Sequence, residues 1–201
     1  MSKSVWRGST LLSPVPPALV ACGTLDSPNV FTVAWTGIIN TIPPKTYISV
    51  RPKRYSYNLI KESGEFVINL TTAELVRAAD YCGVYTGAKV NKFEKCALTP
   101  IPSEEVSCPS IAESPLCLEC RVTDIIPLGT HDMFLADIVS VSVDESLIDE
   151  KGALHLENAH LAAFAHGEYF ELGKKIGSFG FSVKKRKKTH NSGRVTRNIQ
   201  T

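Results

Sequence analysis

The chain has 201 residues, 43% of them apolar and 21% charged, with a formal net charge of +2. That length and apolar content suit one folded unit around a large core. No apolar run approaches the ~20 residues needed to span a bilayer, which argues against a membrane protein. The opening MSKSVWRGSTLL has no continuous apolar stretch and no small-residue cleavage site, so secretion is not expected and the cytoplasm is.

Charge is unevenly spread. Residues 184–201 carry seven Lys or Arg and no acid, leaving 15 bases against 20 acids elsewhere. A mildly acidic body does not fit a general nucleic-acid binder. The run KKRKK, Lys184 to Lys188, is read as a solvated tail, with polyanion binding as the alternative.

In chain order, Leu19, Val20 and Cys22 fall in a first strand that ends at the turn signal Asp26-Ser27-Pro28. Val30 to Ile39, rich in β-branched and aromatic residues, reads as one second strand. Pro43-Pro44 marks a turn, and Lys45 to Val50 alternates as a third strand. Pro52 ends it and suits the first turn of a helix, predicted over Tyr55–Ser63 and closed by Gly64. Glu65 to Leu70 is a strand. A second helix is predicted over Thr72–Cys82 with Thr71 or Thr72 as its cap, and Gly83 to Phe93 is a loop with a short helical turn. Leu116–Ile126 and Met133–Val143 are long apolar strands separated by Pro127, Gly129 and Asp132, an antiparallel hairpin. Leu161 to Leu172 is a weaker last element. Long strands with short helices between them predict a mainly β fold, an antiparallel barrel with a few short peripheral helices. The regular strand–helix alternation of a doubly wound parallel sheet is missing from the second half.

Six cysteines are present, and without a secretory leader disulfides are not expected. Cys117 and Cys120 form a CxxC, but within a strand their thiols point to opposite faces, so one is expected in the core. No second CxxC completes a zinc site. His155, His160 and His166 with Glu157 are too irregularly spaced to suggest a metal. Cys82 is either near a ligand or a buried helix-end cysteine.

Arg51, Lys53 and Arg54 crowd the start of the first helix. A helix N-terminus already carries partial positive charge, so three cations there repel it unless an anion sits among them. A phosphate-bearing ligand is the natural anion.

The order and spacing of several segments resemble the flavin reductase-like family of FMN-binding split barrels, and within it the flavoredoxin group. They are Asn29 with Thr32-Val-Ala-Trp35 and Thr36; Pro43-Pro44; Ile48-Ser-Val-Arg-Pro-Lys-Arg-Tyr-Ser56; Glu65-Phe-Val-Ile-Asn69; Cys82-Gly83; Thr86-Gly87 with Lys89, Lys92 and Phe93; and Leu118-Glu-Cys120. His131 and Phe164 to Gly173 extend the match over about residues 10–173. The expected domain is 1–175, followed by a basic tail, 176–201.

The resemblance implies a homodimer with one noncovalent FMN per subunit near the dimer interface. Arg51, Lys53, Arg54, the Ser56 hydroxyl and the helix-start amides would hold the phosphate, with Lys89 and Lys92 closing the other side. Backbone amides along Thr32, Val33, Ala34, Trp35 and Thr36 would meet the ring's N5, O4 and O2 positions. Trp35, on its residue type alone a core tryptophan, becomes a flat wall for the ring. Asn29, Ser56, Lys92, His131 and Phe164 fall where flavoredoxin-like proteins contact the flavin, Phe164 from across the interface. Tyr55, Cys82, Gly83 and Phe93 complete the expected cofactor-binding set. Lys92 would raise the flavin potential if it reached the ring's N1–O2 edge.

The implied activity is electron transfer through FMN, from NADH, NADPH or a redox partner to a second flavin, an iron–sulfur protein or another acceptor. No Gly-x-Gly-x-x-Gly fingerprint is present, so a nicotinamide would stack directly over the FMN. No side-chain catalytic set is required. The rival expectations are an electron carrier with little nicotinamide activity and a non-catalytic split-barrel binding module.

Overall fold

The computed structural model describes residues 1–183; the KKRKK run and the remainder of the basic tail lie outside the described residues. Strands β1 (Ala18–Gly23), β2 (Pro28–Val33), β3 (Thr36–Asn40) and β4 (Lys45–Val50) come first. Helix α1 (Tyr55–Ser63) leads to β5 (Glu65–Asn69), then α2 (Val76–Val84) and α3 (Lys92–Lys95). Two short strands, β6 (Pro100–Ile101) and β7 (Ser110–Ile111), precede the long hairpin of β8 (Leu116–Pro127) and β9 (Asp132–Val143). A small hairpin, β10 (Ala162–Ala165) with β11 (Glu168–Glu171), resolves the expected last element into two strands.

Seven strands make one antiparallel sheet in the order β2-β1-β5-β8-β9-β4-β3. Consecutive strands β2 and β3 therefore stand at opposite ends of it. Only a strongly curled sheet can join them, and β2 touches β4 where the ends meet; beside that corner the Ser49 amide donates to the Trp35 carbonyl at 2.9 Å, the last rung of the β3–β4 ladder. This is the split barrel expected. It also corrects the single strand expected over Val30–Ile39, which breaks at Ala34 and Trp35. A chain that serves both edges of a curled sheet must leave the ladder at the corner.

Both faces of the sheet are covered. Ala18, Val20 and Cys22 face one core with Phe31, Ile48, Phe66, Phe134 and Ile60 of α1. Leu19 and Ala21, the alternate residues of β1, face a second core with Val67, Ala79, Cys82, Phe93 and Ile111. The two-residue period of a strand sends neighbours to opposite faces. The same rule separates Cys117 from Cys120, but both are buried, one in each core, and not one alone as expected. Each apolar face removes surface from water at roughly 25 cal/mol per Å².

Gly64 closes α1 in the left-handed region, φ 70°, and its amide donates to the Ile60 carbonyl. That conformation favours glycine at a helix end. α2 starts at Val76, later than expected, because Thr72 to Leu75 form a turn in which the Leu75 amide donates to Thr72 Oγ1 at 3.3 Å. It also continues past Cys82 to Val84. Among the described residues no helix is long and apolar enough to cross a membrane.

Candidate functional site

The corner between β2 and β3 creates a site. Ala34 lies outside both ladders and Trp35 keeps only its carbonyl in that of β3 and β4; the N–H groups of both find no protein acceptor among the described residues. They line a cleft of about 270 Å³ with Thr32, Val33, Ser49, Arg51, Arg54 and His131. A second cleft of about 430 Å³ shares Ala34, Trp35, Ser49 and His131, and adds Thr36 with Leu12, Tyr47 and Leu128. Two unpaired donors beside an apolar wall suit a flat ligand with polar edges.

The start of α1 supplies the positive end. Its N-cap, Arg54, offers no side-chain acceptor, and the first turn carries no acid. The Tyr55 and Ser56 amides also lack a protein acceptor among the described residues, as helix-start amides do without a cap. Arg51, Lys53, Arg54 and Lys89 take no part in the ion pairs among the described residues. Arg51 Nε donates to His131 Nε2 at 3.4 Å. An arginine N–H only donates, so Nε2 accepts and the ring proton sits on Nδ1, 3.0 Å from Thr130 Oγ1. Burial, then the charges of Arg51 and Arg54, lower the His131 pKa and hold it neutral.

A third cleft of about 350 Å³ is lined by Asn29, Tyr55, Gly87, Lys89 and Asn91. Asn29 Nδ2 donates to Ser56 Oγ at 2.8 Å and lies 3.3 Å from Cys22 Sγ. Both side chains are buried. Gly87 packs directly on Asn29: a Cβ there would lie 1.9 Å from Asn29 Oδ1.

The expected residues thus sort by place. Thr32, Val33, Ala34, Trp35, Arg51, Arg54 and His131 converge in the first cleft, and Thr36 joins the second. Asn29, Tyr55 and Lys89 meet in the third, over buried Ser56. Phe164 shares a cavity of about 240 Å³ with Trp35 and Leu12 of its own chain. Lys53 is exposed and lines none of these.

The remaining four expected residues stand behind β2. Gly83 lies against Thr32, whose hydroxyl donates to the Ala79 carbonyl, so α2 fixes the rotamer of Thr32. Phe93 and the Cys82 thiol belong to the second core. The Lys92 ammonium is buried and donates to the Cys82 carbonyl at 3.0 Å, which joins α3 to the end of α2. Burial lowers its pKa, and it lines none of the clefts above.

Several lining residues carried no signal in the sequence. Leu12 precedes the first strand in a segment without periodicity, and Leu128 and Thr130 sit in the β8–β9 turn. Tyr47 is legible only as the outward residue of an alternating strand. The histidines near the end of the chain lie elsewhere: His155 faces Asp149 at 3.1 Å, and His160 faces Glu171 at 2.7 Å.

The family model described as flavin reductase like domain matches residues 11–173. The chain belongs to the flavin reductase-like family. Flavoredoxin of Desulfovibrio vulgaris (Miyazaki F) is 34% identical, with a TM-score of 0.84 over 92% of this chain and 100% of that one. An uncharacterized protein of Archaeoglobus fulgidus is 35% identical over 153 residues, 76% of this chain and 86% of its own. A flavin reductase with split barrel domain from Shewanella frigidimarina shares the fold at a TM-score of 0.76 and 20% identity, over 86% of this chain and 88% of its own. As a flavin reductase-like chain, this protein is a member of an oxidoreductase family of flavoproteins, and the corner at Ala34–Trp35 is where its fold leaves backbone donors open.

Proposed function

We propose that the chain binds one FMN without a covalent bond and passes electrons through it, from reduced nicotinamide or a redox partner to a flavin or another acceptor. The observation that carries this reading is the pair of amides at Ala34 and Trp35 without a protein acceptor, beside the cations Arg51 and Arg54 without an ion pair, both among the described residues. A flavin phosphate needs charge-assisted donors, and Arg51, Arg54 and the first amides of α1 offer them. The ring needs donors at its polar edge and an apolar surface, and Ala34, Trp35, Tyr47 and Leu128 offer both.

When bound, FMN supplies the electron-transfer chemistry itself. The residues of the chain bind and orient it, exclude water along the Trp35 wall, and hold His131 neutral beside Arg51. Nothing in this role asks for a nucleophile or a paired acid and base.

A second reading, an electron carrier without direct NADH or NADPH activity, is favoured by the 34% identity to a flavoredoxin. Both readings include a homodimer. Ile38, Ile39 and Ile42, on edge strand β3 and the turn after it, are exposed and give a second copy an apolar surface.

The test is the visible spectrum of purified protein, before and after anaerobic NADH and then NADPH. Flavin bands that bleach with nicotinamide support a reductase. Bands that persist until dithionite or a partner protein is added support the carrier. A colourless protein that rejects added FMN overturns both readings and leaves the binding module.

A further inference from the structure

Two thiols meet outside the site just described. Cys82 lies in the last turn of α2 and Cys96 at the C-cap of α3, and their sulfurs are 3.9 Å apart. Both are free cysteines. A disulfide spans about 2.05 Å, so the two sulfurs have roughly 1.9 Å to close before they are joined.

Their surroundings differ in a useful way. The other four cysteines and Cys82 are buried, and Cys96 alone of the six is partly exposed. It lines a cleft of about 600 Å³ with Tyr81, Tyr85, Lys95 and Glu113. Cys82 stands directly behind it. An accessible thiol with a second thiol in reach is the arrangement of an oxidised and a resolving cysteine.

We propose that Cys96 and Cys82 form an oxidisable dithiol that takes a hydroperoxide as its oxidant. The Cys96 sulfur attacks the distal peroxide oxygen, the O–O bond breaks, and Cys96 becomes a sulfenic acid as water or an alcohol leaves. The Cys82 sulfur then attacks the Cys96 sulfur. The S–O bond breaks, the Cys82 proton leaves with the hydroxide as water, and the disulfide forms. Two thiols lose two electrons and two protons in total, and hydrogen peroxide is reduced to two waters.

Burial, then the neighbouring Cys96, push the Cys82 thiol up to about 12, so its proton has to leave as it attacks, the thiolate being the nucleophile. The product would tie α2 to α3, where the Lys92 ammonium already bridges them through the Cys82 carbonyl. The chemistry needs no flavin, so it stands or falls apart from the reading above.

The experiment treats the reduced full-length protein with stoichiometric hydrogen peroxide, alkylates it after denaturation and maps its peptides by mass spectrometry. Free thiols are expected to fall from six to four. The Cys82 and Cys96 peptides should be joined, lighter by two hydrogens and released by dithiothreitol. Cys82→Ser should instead give a dimedone adduct at Cys96, and Cys96→Ser should give no joined peptide. If Cys82 and Cys96 both stay alkylatable in the wild-type protein, or if the bond maps to another pair, the proposal is overturned. The wild-type map decides this even where a variant fails to fold.

Discussion

Asn29 and Ser56 are held together by a 2.8 Å hydrogen bond that joins β2 to the first turn of α1. The bond is buried, and Gly87 closes over it from the loop after α2. Three segments far apart in the chain therefore depend on one small contact. A side chain at position 87 would meet Asn29 Oδ1 at 1.9 Å and Tyr55 Cδ1 at 3.0 Å.

Gly87→Ala should therefore destabilise the protein by about 1–3 kcal/mol, the usual cost of overpacking. Asn29→Ala removes the main obstacle, so the double variant should lose less than the two single losses added. Urea denaturation checks both. A Gly87→Ala protein as stable as wild type would show that the loop does not approach Asn29 this closely.

Arg51→Ala and Arg54→Ala should each weaken FMN binding by about 10–100-fold, the worth of a charge-assisted hydrogen bond of roughly 1.5–3 kcal/mol. Riboflavin carries the same ring and no phosphate, so its affinity should change far less. Fluorescence titration of both ligands separates the two contacts. An equal loss for riboflavin and FMN would move these cations from the phosphate to the ring.

His131 gives a pH dependence of definite sign. Unfolded, its imidazole takes a proton below about 6.5; folded, burial and the two arginines push that uptake to lower pH. In the window beneath 6.5 the unfolded chain binds more protons, so stability falls as pH falls through it and is retained above it. His155 has the opposite shift, raised by hydrogen bonds to Asp149 and Glu157, so the comparison must be with His131→Gln. The thermal midpoint of that variant should drop less than that of wild type between about pH 7 and pH 5. In an NMR titration, bound FMN should raise the His131 value, because its phosphate would offset the arginine charges.

Ile38→Asp and Ile42→Asp place one charge on exposed β3 and one on the turn after it. Sedimentation should show wild type as a dimer and the double variant as a monomer with an unchanged circular dichroism spectrum. A wild-type monomer at micromolar concentration would remove the homodimer from the proposed function.

Much of the fold could be read before any coordinates. Lys45–Val50 and Tyr55–Ser63 are strand and helix as their alternation and the Pro52 and Gly64 punctuation predict. The hairpin of β8 and β9 follows from two long apolar runs around Gly129. The break at Ala34–Trp35 was not legible, because both halves of Val30–Ile39 have strand chemistry and only their partners differ. Nor was the second buried cysteine, since alternation says which face a residue takes and not whether that face is covered.

The candidate site divides along the same line. The sequence by itself determined that cations crowd the start of α1 and that the segments around them match one family, because helix punctuation and charge are local properties. Tertiary structure alone decided which of those residues share a cleft. It turned Lys92 inward to the Cys82 carbonyl, left Lys53 outside the clefts, and set His131 against Arg51 across 80 residues of chain. The reason is the curl of the sheet: it brings β2 back beside β4, so that Ala34 and Trp35, on the link between the two ends, share a cleft with Ser49, Arg51 and His131.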